Sequence, residues 1–129
     1  MERKNVTYNQ PLEKKIGFSR AVRVGSMIAV SGTAPIAKDG SVHSPGNAYM
    51  QAKRCLEIIF DALGEAGAGP KDVVRTRIYL KSILDWEAVA KAHGEFFSSI
   101  QPACTFVEVS GFINPGWLVE IEADAVLKG

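Results

Sequence analysis

The sequence predicts an α+β domain: a single mixed β-sheet of about six strands with two helices on one face. Two observations carry this. Several stretches alternate apolar and polar side chains with the two-residue period of a strand, and two others repeat apolar residues every three or four positions, as a helix with one buried stripe does. The order strand, strand, helix, strand, helix, strand, strand suits a two-layer sandwich.

Each element has its own signal. "AVRVGSMIAVSG" (21–32) reads as two strands around a turn at Gly25-Ser26. A further strand is expected near Val6–Tyr8. "KDGSVHSPGN" (38–47) is a polar loop in which Ser44-Pro45 predicts a helix start, serine as cap and proline in the first turn. The stripe Ala52, Cys55, Leu56, Ile59, Ala62, Leu63, Ala66 follows, and "GAGP" (67–70) ends it. "DVVRTRIYLK" (72–81) is the next strand. Ser82 with Asp85 resembles a capping box for a second helix, whose stripe is Trp86, Val89, His93, Phe96 and Phe97. Two long strands, 103–111 and 118–127, are joined by "FINPGW".

At 129 residues the chain reads as one domain, 1–129, with room for a single core. A net charge of +1 offers no electrostatic footprint for nucleic acid. "MERKNVTYNQPLEKK" is too polar for a signal peptide, and no apolar run reaches membrane-spanning length. Cys55 and Cys104 have no C-x-x-C spacing, which favours reduced thiols. A cytoplasmic protein with no membrane partner is the expectation.

Strand parity sorts side chains between the sheet's faces. Val74, Thr76, Ile78, Leu80, Thr105, Val107, Val109, Val119, Ile121, Ala123 and Ala125 are expected under the helices. Arg75, Arg77, Tyr79, Cys104, Phe106, Glu108, Glu120, Glu122 and Asp124 are expected on the opposite face. That face is either a solvated one with cross-strand ion pairs or a subunit interface in which Phe106 and Tyr79 bury.

"IGFSRAVRVGSMIAVSG", "GPKDVVRTRIYLKSILDWEAV", "EFF", "PACTFVEV" and "VEIEADAV" resemble, in order, the RidA (YjgF) family, also described as endoribonuclease L-PSP. The resemblance runs from about Pro11 to Leu127. It implies a chorismate-mutase-like fold and a homotrimer with a small-metabolite site in each intersubunit cleft. It also implies hydrolysis of imines and enamines to a 2-oxo acid and ammonia, with no metal or organic cofactor. On this basis Glu120 matches the glutamate that helps position water. Ser31 and Gly32 match the "S-G" that shapes the pocket, and Thr105 stands where serine or threonine is usual. Phe18 replaces the family's tyrosine and Ala90 an asparagine. Cys104 replaces the arginine that grips the substrate carboxylate, so the chain looks like a divergent subgroup lacking the deaminase arginine.

A neutral thiol cannot form the paired charge-assisted bonds an arginine gives a carboxylate. Each such bond is worth roughly 1.5–3 kcal/mol, so carboxylate binding by the usual geometry should fall about tenfold to a thousandfold. A nucleophilic Cys104 would need a cation beside it, and the parity above offers Glu120 instead. Cys104 is therefore expected to line the pocket. His93, on an apolar stripe, reads as packing. Arg20, Arg23, Arg75 and Arg77 read as ion-pair partners, with a displaced substrate cation as the alternative. Trp117 and Phe18 either wall an aromatic pocket or pack in an interface. The readings left are a cofactor-independent hydrolase with Glu120 as general base, or a non-catalytic metabolite-binding protein. RNA cleavage finds no basic groove, stacking motif or histidine pair.

Overall fold

In the computed structural model, which describes residues 1–128, chain order and spatial order differ. Six strands, β1 (Arg3–Val6), β2 (Ala21–Val24), β3 (Met27–Thr33), β4 (Val73–Leu80), β5 (Ala103–Glu108) and β6 (Val119–Val126), form one sheet in the order β1-β2-β3-β6-β4-β5. The β4–β5 pair is parallel and the other pairs are antiparallel, so the sheet is mixed, as expected. The helices are α1 (Pro11–Ile16), α2 (Ala48–Glu65) and α3 (Trp86–Phe97).

Both long helices lie on one face. The α2 stripe is the predicted one: Ala52, Cys55, Leu56, Ile59, Ala62 and Leu63 are fully buried against Ile28, Ile78, Leu80 and Ile121 of the sheet. Burying each large aliphatic side chain there contributes roughly 1.5–3 kcal/mol. From α3, Val89 and Phe97 join the core, and Phe60 meets Phe96 and Phe97 edge to face at 5.1 and 5.7 Å between centroids. Trp86, counted in the predicted stripe, is half exposed instead. His93 packs, as expected: its ring lies 4.6 Å from that of Phe97, and Nε2 is 2.9 Å from the Thr76 hydroxyl.

Several local expectations shift. Helix α2 starts at Ala48, not Ser44-Pro45; Asn47 is the cap, its side chain accepting from Met50 N at 3.0 Å. Ser82 does cap, but it caps a single 3₁₀ turn, Ile83–Asp85, that precedes α3. Helix α1 is too short for a periodic stripe to register. Pro11 opens it, the Glu13 carboxylate reaches back to the Tyr8 and Gln10 amides at 3.1 and 3.3 Å, and left-handed Gly17 (φ 90°) closes it. The N-terminal strand falls at Arg3–Val6, slightly before the expected place.

The parity expectation fails in two places. Between Val73 and Arg75 the register with β6 slips, so Val73 is buried (3% exposed) while Val74 is 48% exposed on the open side. More consequentially, β5 is turned over. It runs beside β4 with Cys104 opposite Thr76, Phe106 opposite Ile78 and Glu108 opposite Leu80. In-register neighbours share a face. Cys104, Phe106 and Glu108 therefore lie on the helix side, Phe106 touching the core and Glu108 accepting from Ile83 N at 2.8 Å. Thr105 and Val107 lie on the open face beside Arg77 and Tyr79.

One buried polar residue ties a loop to the core. Gln51, fully buried on α2, donates to the Gly116 carbonyl at 3.1 Å and accepts from Leu118 N at 2.8 Å, gripping the backbone on both sides of Trp117. Gln51→Met should orphan those groups, at a cost of about 1–3 kcal/mol each. A lowered urea midpoint together with an altered Trp117 emission is the expected result.

Candidate functional site

A bulge in β3 organises the region where the sequence places most of its site residues. Val30 faces Ala123 and Thr33 faces Ile121, so β3 spends one residue more than β6 between these pairs. Ser31 and Gly32 are the displaced residues. Ser31 is held by its amide, which donates to the Arg20 carbonyl, and by its hydroxyl, which donates to the Ser19 carbonyl. Thr33 returns to the core; its hydroxyl donates to the Ser31 carbonyl at 2.8 Å and accepts from Arg20 Nη2 at 2.7 Å. Arg20 Nη2 also reaches the Gly32 carbonyl at 3.3 Å, and the guanidinium lies 5.8 Å from the centre of the Phe18 ring.

Glu120 stands beside this bulge. A side chain added at Gly32 would put its Cβ 3.3 Å from Glu120 Oε1, so the bare glycine keeps the carboxylate accessible. Glu120 forms no hydrogen bond among the described residues. Burial raises its carboxyl pKa above the usual 4.5; Arg20 opposes that shift and Glu122 adds to it. The neighbouring carboxylates on β6 are engaged. Arg77 lies 3.4 Å from Glu122 and 3.2 Å from Asp124, and the Tyr79 hydroxyl donates to Glu122 at 2.8 Å. The open face therefore does carry the cross-strand ion pairs expected of it, alongside exposed Val24, Met27, Val74, Val107 and Val126.

The structure brings Ser31, Gly32 and Glu120 together and leaves the rest apart. Cys104 and Thr105 sit on edge strand β5, with β4 between them and β6. Cys104 belongs to the Thr76–Ala123 row and Glu120 to the Tyr79 row. With strands about 4.8 Å apart and a rise of about 3.3 Å per residue, their backbones are separated by roughly 14 Å. They also point to opposite faces, so Glu120 is not the thiol's neighbour within a chain. Phe18 and Trp117 line a different feature, a cleft of about 400 Å³ between α1, α2 and the segment after β3. Gln51, which positions Trp117, was legible only as a polar residue on an apolar stripe. Among the described residues no cluster of three His, Cys, Asp or Glu is placed to hold a metal ion, and no helix is long and apolar enough to cross a membrane.

The raised Glu120 pKa has a definite sign for stability. The folded carboxyl keeps its proton to higher pH than the unfolded one, so stability is lost as pH rises from 4.5 through the folded value. Glu120→Gln should melt above the unmodified protein at neutral pH. The two should converge below pH 4.5, as a pair of thermal melts across that range would record.

A family model described as Endoribonuclease L-PSP matches residues 9–127. A RutC family protein of Pyrococcus abyssi is 37% identical over 123 residues, covering 95% of this chain and 96% of that protein. An uncharacterized protein of Streptomyces coelicolor is 36% identical over 122 residues, 95% of this chain and 90% of its own. Among solved structures, a member of the YjgF/YER057c/UK114 family from Mycobacterium tuberculosis superposes with a TM-score of 0.88 at 41% identity, covering 98% of this chain and 100% of that one. The mixed sheet with two long helices on one face is the fold of that neighbour, and the chain belongs to the Endoribonuclease L-PSP (RutC/YjgF) family.

Proposed function

We propose that the protein is a RidA-like homotrimer whose intersubunit clefts each take a small imine or enamine metabolite and hydrolyse it to the carbonyl compound and ammonia. The observation that carries the reading is Glu120: a half-buried carboxyl of raised pKa, without a hydrogen-bond partner among the described residues, beside a glycine that leaves it approachable. An enamine first takes a proton on carbon to become the iminium form. Water adds its oxygen to the C=N carbon while Glu120 takes one of its protons. Glu120 then returns that proton to nitrogen; as the C–N bond breaks, the hydroxyl oxygen forms the carbonyl and its proton passes to the departing ammonia, which leaves as ammonium. A group serving as base and then acid works best with a pKa near the operating pH, and such catalysis typically contributes ~10²–10⁴-fold.

The trimer supplies what one chain lacks. An open sheet face with Val24, Met27, Val74, Val107 and Val126 exposed is commonly covered by closed association. In such an assembly Cys104 and Thr105 of one protomer reach the Ser31–Gly32–Glu120 corner of the next. RNA cleavage is no part of the proposal: the net charge is +1, and Arg77 on the open face is already held by Glu122 and Asp124.

Cys104 favours a second reading. Where the family resemblance expects an arginine there is an uncharged thiol, which suits a binding protein for a neutral metabolite with no turnover.

Light scattering should give three chains per particle; a monomer would remove the shared cleft. Incubation with an amino-acid-derived enamine, with ammonia release measured, separates the two readings. Turnover that falls about 100-fold or more in Glu120→Gln supports the hydrolase. Turnover seen in Cys104→Arg alone supports the binder, with an intact pocket lacking its anchor.

A further inference from the structure

The cleft of about 400 Å³ lies within one protomer and contains none of Ser31, Gly32, Cys104, Thr105 or Glu120. Its volume is in the range of small-molecule sites, ~300–1,000 Å³. Its walls are largely apolar, with Leu12, Phe18, Ile58 and Trp117 among them. Within that apolar lining sits a half-buried guanidinium, Arg20, whose donors are only partly used. Nη2 is spent on Thr33 and Gly32; Nη1 forms no hydrogen bond among the described residues, and Nε is buried without a partner. Of these donors Nε is the one both buried and unpaired, which is costly, while Nη1 is free to take a partner.

We infer that this cleft is a binding site for a small monocarboxylate with an apolar body, such as one ring or a branched chain, and that Arg20 Nη1 is the group that takes the carboxylate. The other charged residues lining the cleft are Glu13, Lys38 and Arg54. Arg54 is committed: its Nε donates to the Ile36 carbonyl at 2.7 Å and its Nη1 pairs with Glu57 at 3.4 Å. Glu13 turns its oxygens to the Tyr8 and Gln10 amides, and Lys38 forms no ion pair among the described residues, so the choice of a monocarboxylate rests on the single idle donor group of Arg20 and on the apolar walls. Burial lowers the Arg20 pKa, but a guanidinium stays charged in proteins. The site needs no second protomer, so it stands or falls separately from the trimer, and its test reads ligand binding rather than turnover because Arg20 also bears on Glu120.

Calorimetric titration of the full chain with phenylacetate and 4-methylpentanoate, each beside its neutral amide, tests this. Each acid should bind at least about tenfold more tightly than its amide, the scale of one charge-assisted bond. That preference should shrink in Arg20→Lys and vanish in Arg20→Gln. Ile58→Trp, which fills the cleft and leaves Arg20 in place, should abolish binding of acid and amide alike. Should Arg20→Gln fail to fold, the acid-to-amide ratio in the unmodified protein and the Ile58→Trp result decide. Equal binding of acid and amide, no binding of either acid, or unchanged acid binding in Ile58→Trp would overturn the assignment.

Discussion

The extra residue in β3 at Ser31–Gly32 is the constraint on which the rest of the site depends. By bulging, the strand lets Thr33 re-enter the core one position late, while Ser31 and Gly32 are lifted out of the ladder. That displacement turns the Gly32 carbonyl toward Arg20 and leaves the other side of Gly32 bare for Glu120. A straight β3 would carry a side chain into the carboxylate or send Thr33 to the open face. The Thr33 hydroxyl, accepting from Arg20 and donating to Ser31, closes the distortion with two hydrogen bonds. Bulges recur beside functional sites because they re-aim side chains that regular pairing would fix.

Much of this was legible in the sequence. The long helices announced themselves by periodic stripes, and β4 and β6 by alternation, because their side chains pack against both layers of the same core. Strand β5 misled for a physical reason. At the sheet's edge, beyond full helical cover, its apolar residues need not face the core: Val107 is 40% exposed on the open face while Phe106 turns inward. Counting apolar residues thus chose the wrong parity, and with it put Cys104 beside Glu120. Val74 misled through a bulge, which no periodicity rule anticipates. Helix α2 starts later than Ser44-Pro45 predicted, because the Asn47 side chain closes the first turn.

The candidate site was legible in part for the same reason. Ser31, Gly32 and Glu120 converge because neighbouring strands β3 and β6 hold them, a juxtaposition that follows from the pairing. Cys104 and Thr105 sit on the far edge, beyond β4, so the chain's own fold does not bring them to the others. The cleft beside Arg20 was invisible as a cavity, since its walls come from a helix of only six residues, the middle of α2 and the segment after β3. Two chemically different environments therefore flank one bulge: a carboxyl whose pKa burial raises on one side, an under-partnered guanidinium on the other.

The position of β6 carries a consequence for biogenesis. The strand that separates β3 from β4 leaves the ribosome after both of them, so until it arrives the growing chain holds two half-sheets, each with an unpaired border. Unpaired borders of this kind recruit foreign strands, and pairings between distant segments form slowly. Translation that stalls short of Val119 should leave a sticky, unfinished product rather than a smaller stable one, and a chaperone able to shield β3 and β4 would find its natural client there.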